Sequence, residues 1–229
     1  MSDFCPIPNE VRRSSRKTLS IEVTADGRLV VHAPRFMLRG TIDHFLTEKA
    51  DWIAKKQQAA AKEQTMLPQI ADGAVWKIGD SPVRLRLESG LPCAVWNAQT
   101  TELCLPTENA KAALITWLKA QALPFLTQQT QAWAAKMGVR VAAVKISNAK
   151  TQWGSCNSKG VVHLHWALIC CPRALMDYVI VHELCHRRYM DHSPRFWQEV
   201  AALCPDWKQR RQQLSAYRFL LRWEAVQEK

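Results

Sequence analysis

His182, Glu183 and His186 stand as H-E-x-x-H within VHELCHRRYMDH, and the chemistry these types suit is metal-assisted hydrolysis. Four residues along an α-helix turn the chain through ~400°, so the two imidazoles lie ~40° apart on one face and ~6 Å apart along the axis. Both can reach one ion. Glu183 can then accept a proton from a water that the ion activates. Catalytic zinc sites keep three protein ligands and one open position. His192, six residues past His186, is the expected third ligand, with Asp191 and Glu199 as competitors. The expected cofactor is one zinc ion per chain, because an imidazole set suits zinc well.

The motif works only on a helix. Pro172 introduces one, and Leu175, Tyr178, Val179, Val181 and Leu184 give it an apolar pattern through VHELCHRRYM. The run MDYVIV predicts that this helix is largely buried, so its polar side chains need partners. VRVAAVKI and VVHLHWALICC read as strands on either side of the turn-rich TQWGSCNSKG. Ser193-Pro194 has the form of an N-cap followed by proline at the first helical position, opening FWQEVAALC. Pro205 stops that helix, and a basic helix from Asp206 ends the chain. Upstream, a long helix spans Asn109 to Met137, with Pro124 as a candidate break and Gly138 as its cap.

The first ~108 residues read differently. After a tail of ~10 residues, Leu19, Ile21 and Val23 alternate, Ala25-Asp26-Gly27 turns, and Leu29 and Val31 return, which is a hairpin signal. A helix follows from Thr41, with Ile42, Phe45, Leu46, Ala50 and Ile53 at helical spacing. Residues 63–73 read as a loop, and strands are expected around AVWKIGDSPVRLRLE, LPCAVWN and TTELCLP. The fold class is α+β. A strand-rich α+β region over 1–108 precedes a metal-binding catalytic domain over 109–229, whose H-E-x-x-H helix packs on a small antiparallel or mixed sheet.

Around the motif, His163 and His165 share a strand face, and Trp153 sits in a tight W-G-S-C loop whose Gly154 suits a positive φ. With Arg187 and Arg188, these are candidate substrate contacts, against a structural role for each. Arg195, Lys208, Arg210 and Arg211 extend a basic cluster around the site; Arg12, Arg13, Arg16 and Lys17 form another, read as a solvated run. Cys156 and Cys185 read as buried packing residues rather than nucleophiles, and the eight scattered cysteines predict no disulfide framework. With 48% hydrophobic and 22% charged residues the chain belongs to the globular class, and extensive disorder is excluded. A net charge of +11 suits a polyanion such as nucleic acid as a partner, or simply a basic enzyme. No membrane span and no signal peptide are expected, which places the protein in the cytoplasm.

H-E-x-x-H-x5-H is also the metzincin spacing, but Tyr189 occupies the glycine position and no methionine follows Met190 for the metzincin turn. VHELCHRRYMDHSPRFW and TQWGSCNSKGVVHLHWALICCP instead resemble the YgjP-like metallopeptidase family, related to the SprT-like and Wss1-like zinc proteins. RRSSRKTLSIEVTADGRLVVHAP, EKADWIAKK and CPDWKQRR extend the resemblance over most of residues 12–212. It implies a zincin-type domain with zinc on His182, His186 and His192 and Glu183 as the acid/base. It also implies that VVHLHWALI is the edge strand beside the cleft. Some members of the family are described as nucleotide pyrophosphatases acting on UTP, so a nucleotide phosphohydrolase and a nucleic-acid-associated SprT-like protease stand as alternatives to peptide hydrolysis.

Overall fold

The alternating apolar residues near the N-terminus do form a hairpin. In the computed structural model, which describes residues 6–24, 26–66 and 69–225, β2 (Ser20–Val23) and β3 (Leu29–Pro34) pair antiparallel. Ala25 of the turn lies outside the described residues, as do residues 1–5 of the expected tail. A strand absent from the residue-by-residue reading, β1 (Glu10–Ser14), joins β3 in parallel, giving the order β1-β3-β2. Arg13 of β1 is exposed, as a solvated run implies, and it also reaches the backbone. Its Nη1 donates to the carbonyls of Arg35 at 3.1 Å and Met37 at 2.8 Å, fixing the loop that follows β3. The single helix expected from Thr41 is two, α1 (Arg39–Glu48) and α2 (Ala50–Met66), because Lys49 at φ −99°, ψ 9° leaves the helical region. Leu29, Val31, Ala33, Ile42, Leu46 and Ile53 close the core between sheet and helices.

This first compact unit comprises Met1–Leu67 with Arg222–Lys229, and Pro68–Leu221 form the second. The second begins with a four-stranded sheet of β4 (Val75–Ile78), β5 (Ser81–Glu88), β6 (Val95–Asn97) and β7 (Glu102–Pro106), ordered β4-β5-β7-β6. The expected boundary after residue 108 falls inside this unit, because β7 runs through a single 3₁₀ turn into α3 (Ala110–Met137). α3 passes through Pro124 without a break and ends at Gly138, whose φ of 65° is the left-handed cap that glycine adopts without strain.

β8 (Ala143–Ser147), β9 (Gly154–Cys156) and β10 (Val161–His165) then form a mixed sheet. Its order is β8-β10-β9, with β10 parallel to β8 and antiparallel to β9. The edge strand implied for VVHLHWALI is thus a correction: β10 is central, hydrogen-bonded on both sides, and β9 is the edge. The strand also stops at His165, whose Nδ1 accepts the Ala167 N–H at 3.2 Å and starts a buried 3₁₀ turn, Trp166–Cys170.

α4 (Arg173–Cys185) carries the motif and buries Leu175, Met176, Tyr178 to Val181, Leu184 and Cys185. Three neighbours hold it. Gly79 N donates to Ile169 O at 2.5 Å, which brings the β4–β5 turn close enough for Asp80 Oδ1 to accept the Arg173 N–H at 3.3 Å, at the positive end of the α4 dipole. Asp177 accepts from Trp133 Nε1 of α3 at 3.0 Å and Arg173 Nε at 3.1 Å. α5 (Pro194–Leu203) starts at Ser193-Pro194 as read from the sequence, and α6 (Trp207–Ser215) sends Arg210 Nη1 to Ala174 O at 3.1 Å. The expected C-terminal helix gives way after Ser215 to a 3₁₀ turn, Arg218–Leu221. Among the described residues no helix is long and apolar enough to cross a membrane.

Asp80→Ala removes a charge-assisted bond to the first turn of α4 and is expected to cost ~1 kcal/mol. A urea titration checks this: the midpoint falls with an unchanged slope, whereas an unchanged midpoint shows that Asp80 does not hold the helix.

Candidate metal centre

Residues i, i+1, i+4 and i+5 of α4 share one face, so Tyr178, Val179, His182 and Glu183 all line one cleft of about 560 Å³. The helix ends at Cys185, earlier than the expected Met190, and His186 is its C-cap at φ −65°, ψ −11°. Those angles are still helical, so the i, i+4 relation between the histidines survives. The chain then tightens, with Arg187 N bonded to Leu184 O at 2.9 Å, and turns back. That early turn brings His192 to the other two. One ring nitrogen from each of His182, His186 and His192 lies within 4.8 Å of the others, and among the described residues no other His, Cys, Asp or Glu side chains form such a group.

Aromatic side chains from α5 fix the three rings. Phe196 is fully buried and sits 4.9 Å from His182, 4.7 Å from His186 and 4.7 Å from His192, centroid to centroid. His192, on an exposed loop, also stacks on Trp197 at 5.7 Å, and Trp197 stacks on Trp207 of α6 at 4.2 Å. The competitors for third ligand are engaged elsewhere. Asp191 Oδ1 faces Ser193 N at 3.4 Å, and Glu199 pairs with Arg188.

The donor set fits a cation. His186 Nδ1 lies 3.0 Å from the Tyr189 carbonyl, which only accepts, so Nδ1 carries the proton and Nε2 is left as a ligand. His182 Nε2 and His192 Nε2 face each other at 3.2 Å. Burial, helped by its two histidine neighbours, drives the His182 pKa down to about 3 and keeps that ring neutral. Convergent ring nitrogens held this close suit a shared divalent ion, which is the arrangement imidazole-bound zinc takes.

Glu183 is 5% exposed, and burial alone pushes its carboxyl up to about 8, raising its affinity for a proton. Its position depends on Gly154 of β9. A Cβ on Gly154 would stand 2.7 Å from Glu183 Oε1, 2.8 Å from Cγ and 2.9 Å from Cδ. The glycine of W-G-S-C therefore serves close approach. Its φ lies outside the positive range that the turn reading suggested.

The sequence model of the YgjP-like family, described as a metallopeptidase domain, matches residues 17–217. The chain belongs to the YgjP-like family. Among solved structures it is similar to the metallopeptidase zymogen abylysin of Pyrococcus abyssi, at 23% identity over 39% of this chain and 90% of that one, with a TM-score of 0.36. No curated protein matches the chain.

In this YgjP-like chain the other expected contacts divide. Trp153 lines the cleft. His163 and His165 do not: His165 is 1% exposed and packs between Trp153 and Trp166. Arg187 is drawn away from the cleft to the carbonyls of Arg140, Asn157 and Ser158, each at 3.1 Å. Arg188 is held by Glu199 and the Met137 carbonyl. Both arginines serve the framework, bracing the end of α4. Cys185 is buried and its thiol pushed up to about 12, which suits the packing role read from the sequence. Sequence reasoning missed Gly154 as the neighbour of Glu183, Tyr178 as a cleft residue, and Arg218, and it left Arg211 in a general basic cluster. One signal was available: Arg211, Leu214, Arg218 and Leu221 fall at i, i+3, i+7 and i+10, and all four line the cleft.

Gly154→Ala must displace the Glu183 carboxylate while leaving the imidazoles in place. The expected result is retained metal content with hydrolytic turnover reduced ~10²-fold, the scale of a 1 Å misplacement of a reacting group. Full turnover in that variant would show that the contact does not position Glu183.

Proposed function

We propose that the chain is a zinc-dependent metallopeptidase, with His182, His186 and His192 as metal ligands and Glu183 as general base. The observation that carries this reading is the convergence of three imidazole nitrogens within 4.8 Å, two of their rings, His182 and His192, lining the cleft that Glu183 also lines. A zinc ion held by these three imidazoles would supply Lewis acidity and make the proton of a water available near neutral pH. Glu183 takes that proton and returns it to the leaving amine. Burial raises its affinity for a proton, and the missing side chain at Gly154 leaves room for its carboxylate. The free edge of β9 adjoins the cleft through Gly154, and an extended peptide adds naturally to such an edge.

A second reading is hydrolysis of a nucleotide phosphoanhydride. The observation in its favour is that Arg211 and Arg218 line the same cleft. The free strand edge offers nothing to a nucleotide, so peptide hydrolysis is the better fit.

Metal analysis of the wild type, His186→Ala and Glu183→Gln, each assayed on a peptide library and a nucleotide panel, tests the reading. The expected wild type carries one zinc per chain, and His186→Ala loses it. Glu183→Gln keeps the zinc and loses turnover by at least ~10²-fold. Chelation is expected to abolish peptide cleavage, and zinc to restore it. A wild type that binds no divalent metal, or a fully active Glu183→Gln, overturns the proposal.

A further inference from the structure

Two exposed arginines line the cleft from the C-terminal segment: Arg211 of α6, and Arg218 on the 3₁₀ turn that follows. Arg211 lies 5.6 Å over the Trp197 ring, which stacks on His192 at 5.7 Å, so its charge stands one aromatic ring from the metal centre. Three of the arginines nearby have other partners. Arg187 donates to three carbonyls, Arg188 pairs with Glu199, and Arg210 binds Asp206 at 2.8 Å. Arg211 and Arg218 take part in no ion pair among the described residues. The cleft lining offers them a single carboxylate, Glu183, which is buried against Gly154. A concave site with two unpaired guanidinium groups selects a ligand that brings its own negative charge.

The size of the cleft narrows the choice. At about 560 Å³ it is on the scale of small-molecule sites, ~300–1,000 Å³, rather than of a groove for a long chain. A short peptide has one anion at a fixed place relative to its backbone, the C-terminal carboxylate, and a planar guanidinium binds a carboxylate through paired N–H donors. We propose that Arg211 and Arg218 form an oxyanion subsite that binds the C-terminal carboxylate of a short peptide, directing cleavage to bonds near a free C-terminus. This rests on the metallopeptidase reading and adds to it a substrate class and two specificity residues.

The test uses zinc-loaded Glu183→Gln protein, so that binding is read without turnover. Calorimetry compares N-acetyl tripeptides as free acids with the same tripeptides as C-terminal amides, and inorganic pyrophosphate serves as the other oxyanion. The free acids are expected to bind ~10-fold or more tightly than the amides, the scale of one lost charge-assisted contact pair. Adding Arg211→Gln or Arg218→Gln is expected to erase that difference with zinc content unchanged. In otherwise wild-type protein the same substitutions raise KM for the free acids more than they lower kcat. Equal binding of acid and amide, or a preference that survives both substitutions, overturns the subsite. Arginine-dependent binding of pyrophosphate without any binding of the peptide acids also overturns it, assigning the pair to phosphate. Amide and acid peptides cleaved equally would sink the subsite alone. A zinc-loaded protein that cleaves no peptide would sink the metallopeptidase reading itself.

Discussion

Two imidazoles and a carboxylate on one buried face of α4 are the constraint around which the second unit is built. Such groups lose water on folding and need partners in return. His182 Nε2 faces the His192 Nε2 at 3.2 Å, two ring nitrogens turned toward each other. A cation supplies what the neighbouring side chains do not. The framework therefore has to deliver α4 at a fixed position, and it does so from several directions. Asp80 reaches its first N–H, Asp177 ties it to α3, Arg210 ties it to α6, and Phe196 packs against all three rings.

The same three-residue strand serves two purposes. Among the described residues β9 ends the mixed sheet with one edge unpaired, and its first residue, Gly154, lies against Glu183. The backbone at the end of the sheet is thus also the backbone that lies against the Glu183 carboxylate. A side chain at Gly154 would disturb that contact, which gives this glycine a steric reason that its dihedral angles do not. His192 is held in a different manner. It lies on an exposed loop, and its place depends on stacking through Trp197 to Trp207 rather than on a helix.

Features with local causes were legible in the sequence. The His182–His186 spacing, the Ser193-Pro194 start of α5, the Gly138 cap and the N-terminal hairpin each follow from residues within a few positions of one another. Features set by distant partners were not. β9 is too short to show an alternating pattern, so its pairing with β10, and the burial of β10 in the middle of the sheet, could not be read from it. α4 ends at Cys185 without a Gly or Pro to announce it, since the return of His192 and the carbonyl contacts of Arg187 decide the turn. Arg187 and Arg188 looked like substrate contacts because they adjoin the motif, yet in a helix-terminal turn adjacent residues point apart. Arg211 and Arg218, far along the chain, line the cleft instead.

The central claim is that three histidines, and no cysteine or carboxylate, hold one metal ion. X-ray absorption at the zinc edge of the purified protein tests it most directly. The account predicts three imidazole nitrogens at ~2.0–2.1 Å, one further light-atom position, and no sulfur scatterer. A sulfur shell at ~2.3 Å would contradict it, because Cys156 and Cys185 would then have to leave the places described here.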